Sequence, residues 1–191
     1  MGLLIQSYTV EDNEYDLGFG SGPTFVDEVG TSIQAVQDVQ LGSIEVNMRR
    51  GGSPTGSISA KIYAHSGVFG TSSVPTGSAL ATSNPITIDN WSNAITRARF
   101  NFADNNVIRL TGGTNYCISI AGNFSFSDNS NFIGVRYDVT GATGPGNAYW
   151  RQGGNYAAFN TDDMTYWLYG ADVNMRVPRL RPAPFKPGLA R

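Results

Sequence analysis

The sequence predicts an all-β protein, an antiparallel two-sheet sandwich of jelly-roll-like form with extended N- and C-terminal segments. Three observations point there. Short apolar stretches alternate with period two, Gly, Pro, Asn and Ser interrupt them at close intervals, and charged residues make up only 15% of 191 positions while 23 are glycine. Period-two alternation places every second side chain on one face of a strand, and frequent turn formers cut the chain into many short strands. Hydrophobic residues at 40% and aromatics at 12% supply enough apolar surface to bury a core.

Taken in order, residues 1–30 form an acidic entry segment. A strand is expected from Leu3 to Val10, and Glu11, Asp12, Glu14, Asp16, Asp27 and Glu28 follow without one basic residue. Residues 31–175 are the sandwich domain. Within it Ser43–Arg49 alternates cleanly, with Ile44, Val46 and Met48 on one face and Glu45, Asn47 and Arg49 on the other. Gly51-Gly52-Ser53-Pro54-Thr55-Gly56 is a turn, and Ser57–Ala64 resumes with Ile58, Ala60, Ile62 and Ala64 on one side, so the two strands are expected to form a hairpin. Further strands are expected at Thr96–Phe102, Asn115–Ala121, Phe132–Val139 and Thr165–Gly170.

Residues 176–191 are an extended arm. Pro178, Pro182, Pro184 and Pro187 remove amide donors and favour extended backbone, while Arg176, Arg179, Arg181, Lys186 and Arg191 carry five positive charges with no acid among them. With 13 cations and 15 acids in the chain, residues 1–175 are left at about −7. The chain is an acidic body with a basic arm.

Gly52-Ser53-Pro54-Thr55-Gly56, Lys61-Ile62-Tyr63-Ala64, Pro75-Thr76-Gly77-Ser78-Ala79-Leu80-Ala81, Gly112-Gly113-Thr114-Asn115-Tyr116 and Gly146-Asn147-Ala148-Tyr149 carry a resemblance. From roughly Gln34 to Gly170 the chain resembles the choice-of-anchor-like jelly-roll β-sandwich domains of bacterial surface and bacteriophage structural proteins. The resemblance implies a surface or virion setting and brings no catalytic residues with it. The start, Met1-Gly2-Leu3-Leu4-Ile5-Gln6, lacks the basic n-region and long apolar run of a secretory signal, so synthesis in the host cytoplasm is expected. Together these shift the expectation to a bacteriophage virion structural protein, a capsid accessory such as a decoration protein or head-fibre base, with a tail or baseplate component as the alternative position. Its expected partners are other copies of itself and virion proteins such as the major capsid protein. A net charge of −2 argues against general binding to nucleic acid or membrane.

Catalysis is not expected. The chain has one histidine, His65, in a turn-like context read as an exposed loop, and one cysteine, Cys117, in a strand context read as a buried thiol. Two such ligands fall short of a structural zinc site. No cofactor is expected. Calcium is left open through Asp12, Asp16 or the Asp162–Asp163 pair, although Leu17 and Pro23 stand where an EF-hand loop needs glycine and glutamate. A carbohydrate-binding module is the competing reading. Its candidate glycan or partner contacts are Trp91, among polar turn formers, and Trp150 and Tyr156. In Tyr166–Tyr169, alternation puts Trp167 and Tyr169 together on one face, expected to face a core or a subunit interface.

Overall fold

The computed structural model describes residues 2–18, 25–103, 106–126, 128–140 and 144–171. Along the chain these form β1 (Leu4–Tyr8), β2 (Asn13–Leu17), β3 (Val26–Gln34), β4 (Val39–Gly51), β5 (Thr55–Ser66), β6 (Val74–Thr82), β7 (Ile86–Thr87) and β8 (Thr96–Asn101). They continue with β9 (Ile108–Leu110), β10 (Asn115–Phe126), β11 (Phe132–Asp138), β12 (Ala148–Gln152), β13 (Asn155–Phe159), β14 (Asp163–Met164) and β15 (Tyr166–Gly170). The fold is an all-β sandwich of two antiparallel sheets.

The first sheet runs β1-β15-β4-β11-β14, with β2 on β11 and β8 and β9 on β4. The second runs β13-β12-β3-β10-β5-β6, with β7 on β5. Period two decides which side chains meet between the sheets. Ile44, Val46 and Met48 of β4, Ile133, Val135 and Tyr137 of β11 and Leu168 of β15 pack with Val29 and Ile33 of β3, Ile58 and Ile62 of β5 and Ile118 and Ile120 of β10. Each of the buried aliphatic side chains among them removes apolar surface worth about 1.5–3 kcal/mol from water.

The alternation of β4 and β5 is as expected, but they are not a hairpin. β4 pairs with β15, β8, β9 and β11, whereas β5 pairs with β10, β6 and β7, so the turn at residues 52–54 carries the chain from one sheet to the other. The positive φ of Gly52 (63°) bends the chain there, and Asn131 Oδ1 accepts the Ser53 N–H at 2.7 Å, anchoring the turn to the start of β11. A connection of this length serves a hairpin or a crossing equally well. Alternation reports faces and is silent on partners.

The acidic entry segment contributes β1, β2 and the first half of β3 to the two sheets. β3 lies between β10 and β12 at the centre of its sheet and continues past residue 30 to Gln34. The arm, with Arg176, Arg179, Arg181, Lys186 and Arg191, lies outside the described residues.

Candidate functional site

The second sheet has an ordered outer face. Its register aligns Tyr156, Arg151, Glu28, Ala121 and Ser59 in one cross-strand row, Tyr149, Gly30, Ser119 and Lys61 in the next, and Ser32, Cys117 and Tyr63 in a third. Rows of this kind bring side chains of neighbouring strands to about 4.5–5.5 Å at Cβ. Tyr63, Cys117 and Tyr149 form a second, smaller hydrophobic cluster with Val74, Ala79 and Tyr156. The edge strands β6 and β13 approach each other, so the sheet curls over this cluster.

Glu28 is the centre of the face and has no exposed surface. The Tyr63 hydroxyl donates to one carboxylate oxygen at 3.3 Å and the Tyr156 hydroxyl to the other at 3.2 Å. Arg151 and Lys61 stand 3.6 and 3.9 Å away, each about a third exposed, and Arg151 also reaches Asp27. Burial, with the Glu28 charge adding to it, pushes the Tyr63 phenol up to about 12. Tyr149 lies beside Gly30, where its hydroxyl donates to the Ile118 carbonyl at 2.9 Å and contacts Ser119 Oγ at 2.7 Å.

The first sheet's outer face is charged and paired. Glu45 accepts the Tyr169 hydroxyl at 3.0 Å and lies 3.7 Å from Arg97 and 3.4 Å from Arg99. The two guanidinium groups cover Trp167 and Tyr169, at 3.5 and 5.3 Å from the ring centroids. Further along, Glu14 is held by Arg49 and Arg136, and Glu11 accepts from Asn47 at 2.9 Å. Trp167 and Tyr169 do share a face, yet it is this outer one; Tyr166 and Leu168 point into the core. The arginines of β8 bury the two rings from outside.

A third cluster gathers Asp138, Asp162 and Asp163. Asp138 and Asp163 are paired across β11 and β14, the Tyr8 and Tyr15 hydroxyls donate to Asp138 and Asp162, and Thr31 Oγ1 donates to Asp163 at 3.4 Å. Among the described residues, Asp163 Oδ2 is buried without a hydrogen bond. Burial raises the Asp163 carboxyl to about 6; contacts from Thr31 and Gly144 counter this, and the charges of Asp138 and Asp162 reinforce it. An unfolded aspartate titrates at about 4. Ionisation of Asp163 therefore costs the folded state, fully above pH ~6, and the cost disappears as pH falls below the unfolded value. Asp163→Asn is expected to be more stable than wild type at pH 8, with the difference closing toward pH 4 in urea-unfolding midpoints; a variant weaker than wild type at pH 8 would contradict the repulsive environment. No group of three His, Cys, Asp or Glu arranged to hold a metal occurs among the described residues, and Asp12 accepts the Val139 N–H at 2.9 Å.

Cys117 is fully buried, and desolvation pushes its thiol up to about 12, which leaves negligible thiolate at neutral pH. His65 corrects the loop reading: it stands in β5, half-buried, with Nε2 2.9 Å from Ser73 Oγ, and burial lowers its pKa. Trp91 packs against the main core, its Nε1 buried, because the turn Ile88–Trp91 folds back through a Trp91 N–H to Ile88 carbonyl bond of 2.9 Å. Trp150 faces the core and meets Phe159 edge-on at 4.7 Å and Tyr15 at 5.5 Å. Tyr156 is committed to Glu28 and to Tyr149, 5.8 Å away. The three aromatic candidates are thus separate, each engaged in packing. Sequence reasoning missed Glu28, whose place beside Asp27 in an acidic stretch gave no sign of its burial, and missed Gly30.

The last described residues, Gly170 and Ala171, lie beside the run that opens β1 and beside β4. Gly170 N–H donates to the Leu3 carbonyl at 2.9 Å and Ala171 N–H to the Gln40 carbonyl at 2.7 Å. Next to Ala171 lies an open hollow of about 470 Å³ lined by Asp38, Val39, Gln40 and Arg109, with Arg109 and Asp38 paired at 2.8 Å. No family model matches the chain, and neither a curated protein nor a solved structure matches it.

Proposed function

We propose that this protein is a non-enzymatic structural component of a bacteriophage particle, an accessory on the outside of the head such as a decoration protein or a fibre base, held in place through its terminal segments. The resemblance of residues 34–170 to jelly-roll surface and virion domains motivates the particle setting. The observation that carries the tether is the distribution of charge. Arg49, Lys61, Arg97, Arg99, Arg109, Arg136 and Arg151 each pair with a carboxylate of the body, and Arg50 is bound to Asn93 and to the Asp89 carbonyl. The body's cations are occupied within the body; Asp138, Asp162 and Asp163 are buried, so the acids that remain on its surface are left for charges supplied from outside.

The arm carries five such charges on a proline-stiffened segment, which loses less entropy on docking than a flexible one. It binds the acidic surface of a neighbouring copy or of the capsid protein, and many weak contacts add through effective concentration. The body's role is passive: a rigid sandwich presents its loops outward. A labelled peptide of residues 176–191 is expected to bind the protein cut after Met175, with affinity falling steeply as salt rises, because the contacts are electrostatic. The cut protein is expected to keep its unfolding temperature and to lose incorporation into particles. A peptide that does not bind, or normal incorporation without the arm, refutes the tether.

A further inference from the structure

Sheet edges are where a β protein meets other chains, since each edge strand carries unpaired N–H and C=O groups, and charges, prolines, shortness or cover normally guard them. Among the described residues the edges of this sandwich are guarded in turn. β2 carries Glu14 and Asp16, β8 carries Arg97 and Arg99, and β6 contains Pro75. β7, β9 and β14 are no longer than 3 residues. β13 is uncharged, but β6 lies alongside it.

β1 is the exception. It closes one end of the first sheet, pairing with β15, and the run Leu3 to Val10 has neither a charge nor a proline. Of the seven large hydrophobic side chains exposed on the described surface, three lie in this run: Leu3 at 77%, Leu4 at 47% and Val10 at 48%. A register shift between Leu4 and Gln6 interrupts the ladder with β15, but pairing is regular from Gln6 onward.

We propose that β1 is a self-association edge, pairing antiparallel with β1 of a second copy so that two first sheets join into one continuous sheet across a two-fold axis. A second copy fits for a physical reason. Two identical edges related by a two-fold are automatically complementary in backbone hydrogen bonding, and an uncharged strand meets no like-charge repulsion from its own image. The exposed leucines of both copies flank the joint and are removed from water together. A five-residue strand pair is a small interface, so association is weak for isolated molecules and strengthened where copies are held close. The inference is independent of the particle reading and of the arm.

The test is sedimentation of the full chain over a concentration series reaching about 1 mM, where even a weak contact populates dimer. Wild type is expected to move toward twice the monomer mass, with the amides of Leu3–Ser7 exchanging more slowly as concentration rises. Ser7 is exposed on this strand and suits substitution. Ser7→Lys and Ser7→Glu are each expected to stay monomeric with wild-type unfolding temperatures, and an equimolar mixture of the two is expected to recover dimer. Protein cut after Met175 is expected to dimerise as the full chain does. Monomeric wild type at every concentration, unprotected β1 amides, unaltered dimerisation of either Ser7 variant, a monomeric mixture, or dimer lost with the arm would each overturn the proposal.

Discussion

Gly30→Ala is expected to destabilise the protein by about 3 kcal/mol or more, beyond the usual range for adding one methyl to a packed interior. A Cβ at this position would sit 2.2 Å from the Ile118 carbonyl oxygen and 2.5 Å from the Tyr149 hydroxyl. The tyrosine could swing away only by abandoning its bonds to Ile118 and Ser119, and the carbonyl belongs to the central ladder with β10 and cannot move. From the other side the Tyr137 hydroxyl donates to the Gly30 carbonyl at 3.1 Å, so the backbone is held on both faces. For a domain of this size the loss corresponds to a fall of about 6–12 °C in melting temperature. Gly77→Ala is the control. Its φ of +70° strains any side chain, but nothing lies within 4 Å of the added carbon, so about 1 kcal/mol is expected. Equal losses at the two glycines would mean that Tyr149 does not occupy the space over β3.

The second large effect is expected at Glu28. Removing this carboxylate by Glu28→Ala leaves the Tyr63 and Tyr156 hydroxyls without this acceptor, takes the counter-charge from Lys61 and leaves Arg151 with Asp27 alone. Breaking a buried pair from one side costs about 3–5 kcal/mol. Because both cations are partly exposed and can turn to water, a loss of about 2–3 kcal/mol is expected here. Glu28→Gln keeps an acceptor oxygen and is expected to lose about half as much, the charge being gone and the hydrogen bonding partly kept. Guanidine-unfolding curves for the two variants in parallel check the ordering. A glutamine variant as damaged as the alanine variant would assign the whole effect to charge, and no loss in either would remove Glu28 from the stability of the second sheet.

These two positions also mark where sequence reading stopped. The faces of β4 and β5, the strands near Thr96, Asn115, Phe132 and Thr165, and the buried thiol of Cys117 were legible because alternation is local and the chain carries it residue by residue. β2 and β12 were not, since Asn13–Leu17 mixes two acids with a single aromatic and Ala148–Gln152 ends in Arg151 and Gln152. Their polar residues are accommodated by distant partners: Glu14 by Arg49 and Arg136, Arg151 by Glu28 and Asp27. Trp91, placed by its polar neighbours on the surface, is drawn against the core by the fold of its own turn.

The sequence by itself determined the class of the fold, the period-two assignment of core and surface faces, and the division of charge between an acidic stretch and a basic, proline-rich arm. Each of these follows from composition or from spacing along the chain, so no long-range contact is needed to see it. Only the tertiary structure decided which strands are neighbours, and with that the crossing between sheets at residues 52–54, the burial of Glu28 beneath two tyrosines, the cover of Trp167 by Arg97, and the exposure of β1 at a sheet edge. The reason is geometric. A side chain's face is set by its own strand, but its partner is set by which remote strand lies alongside, and that choice belongs to the packing of the whole chain.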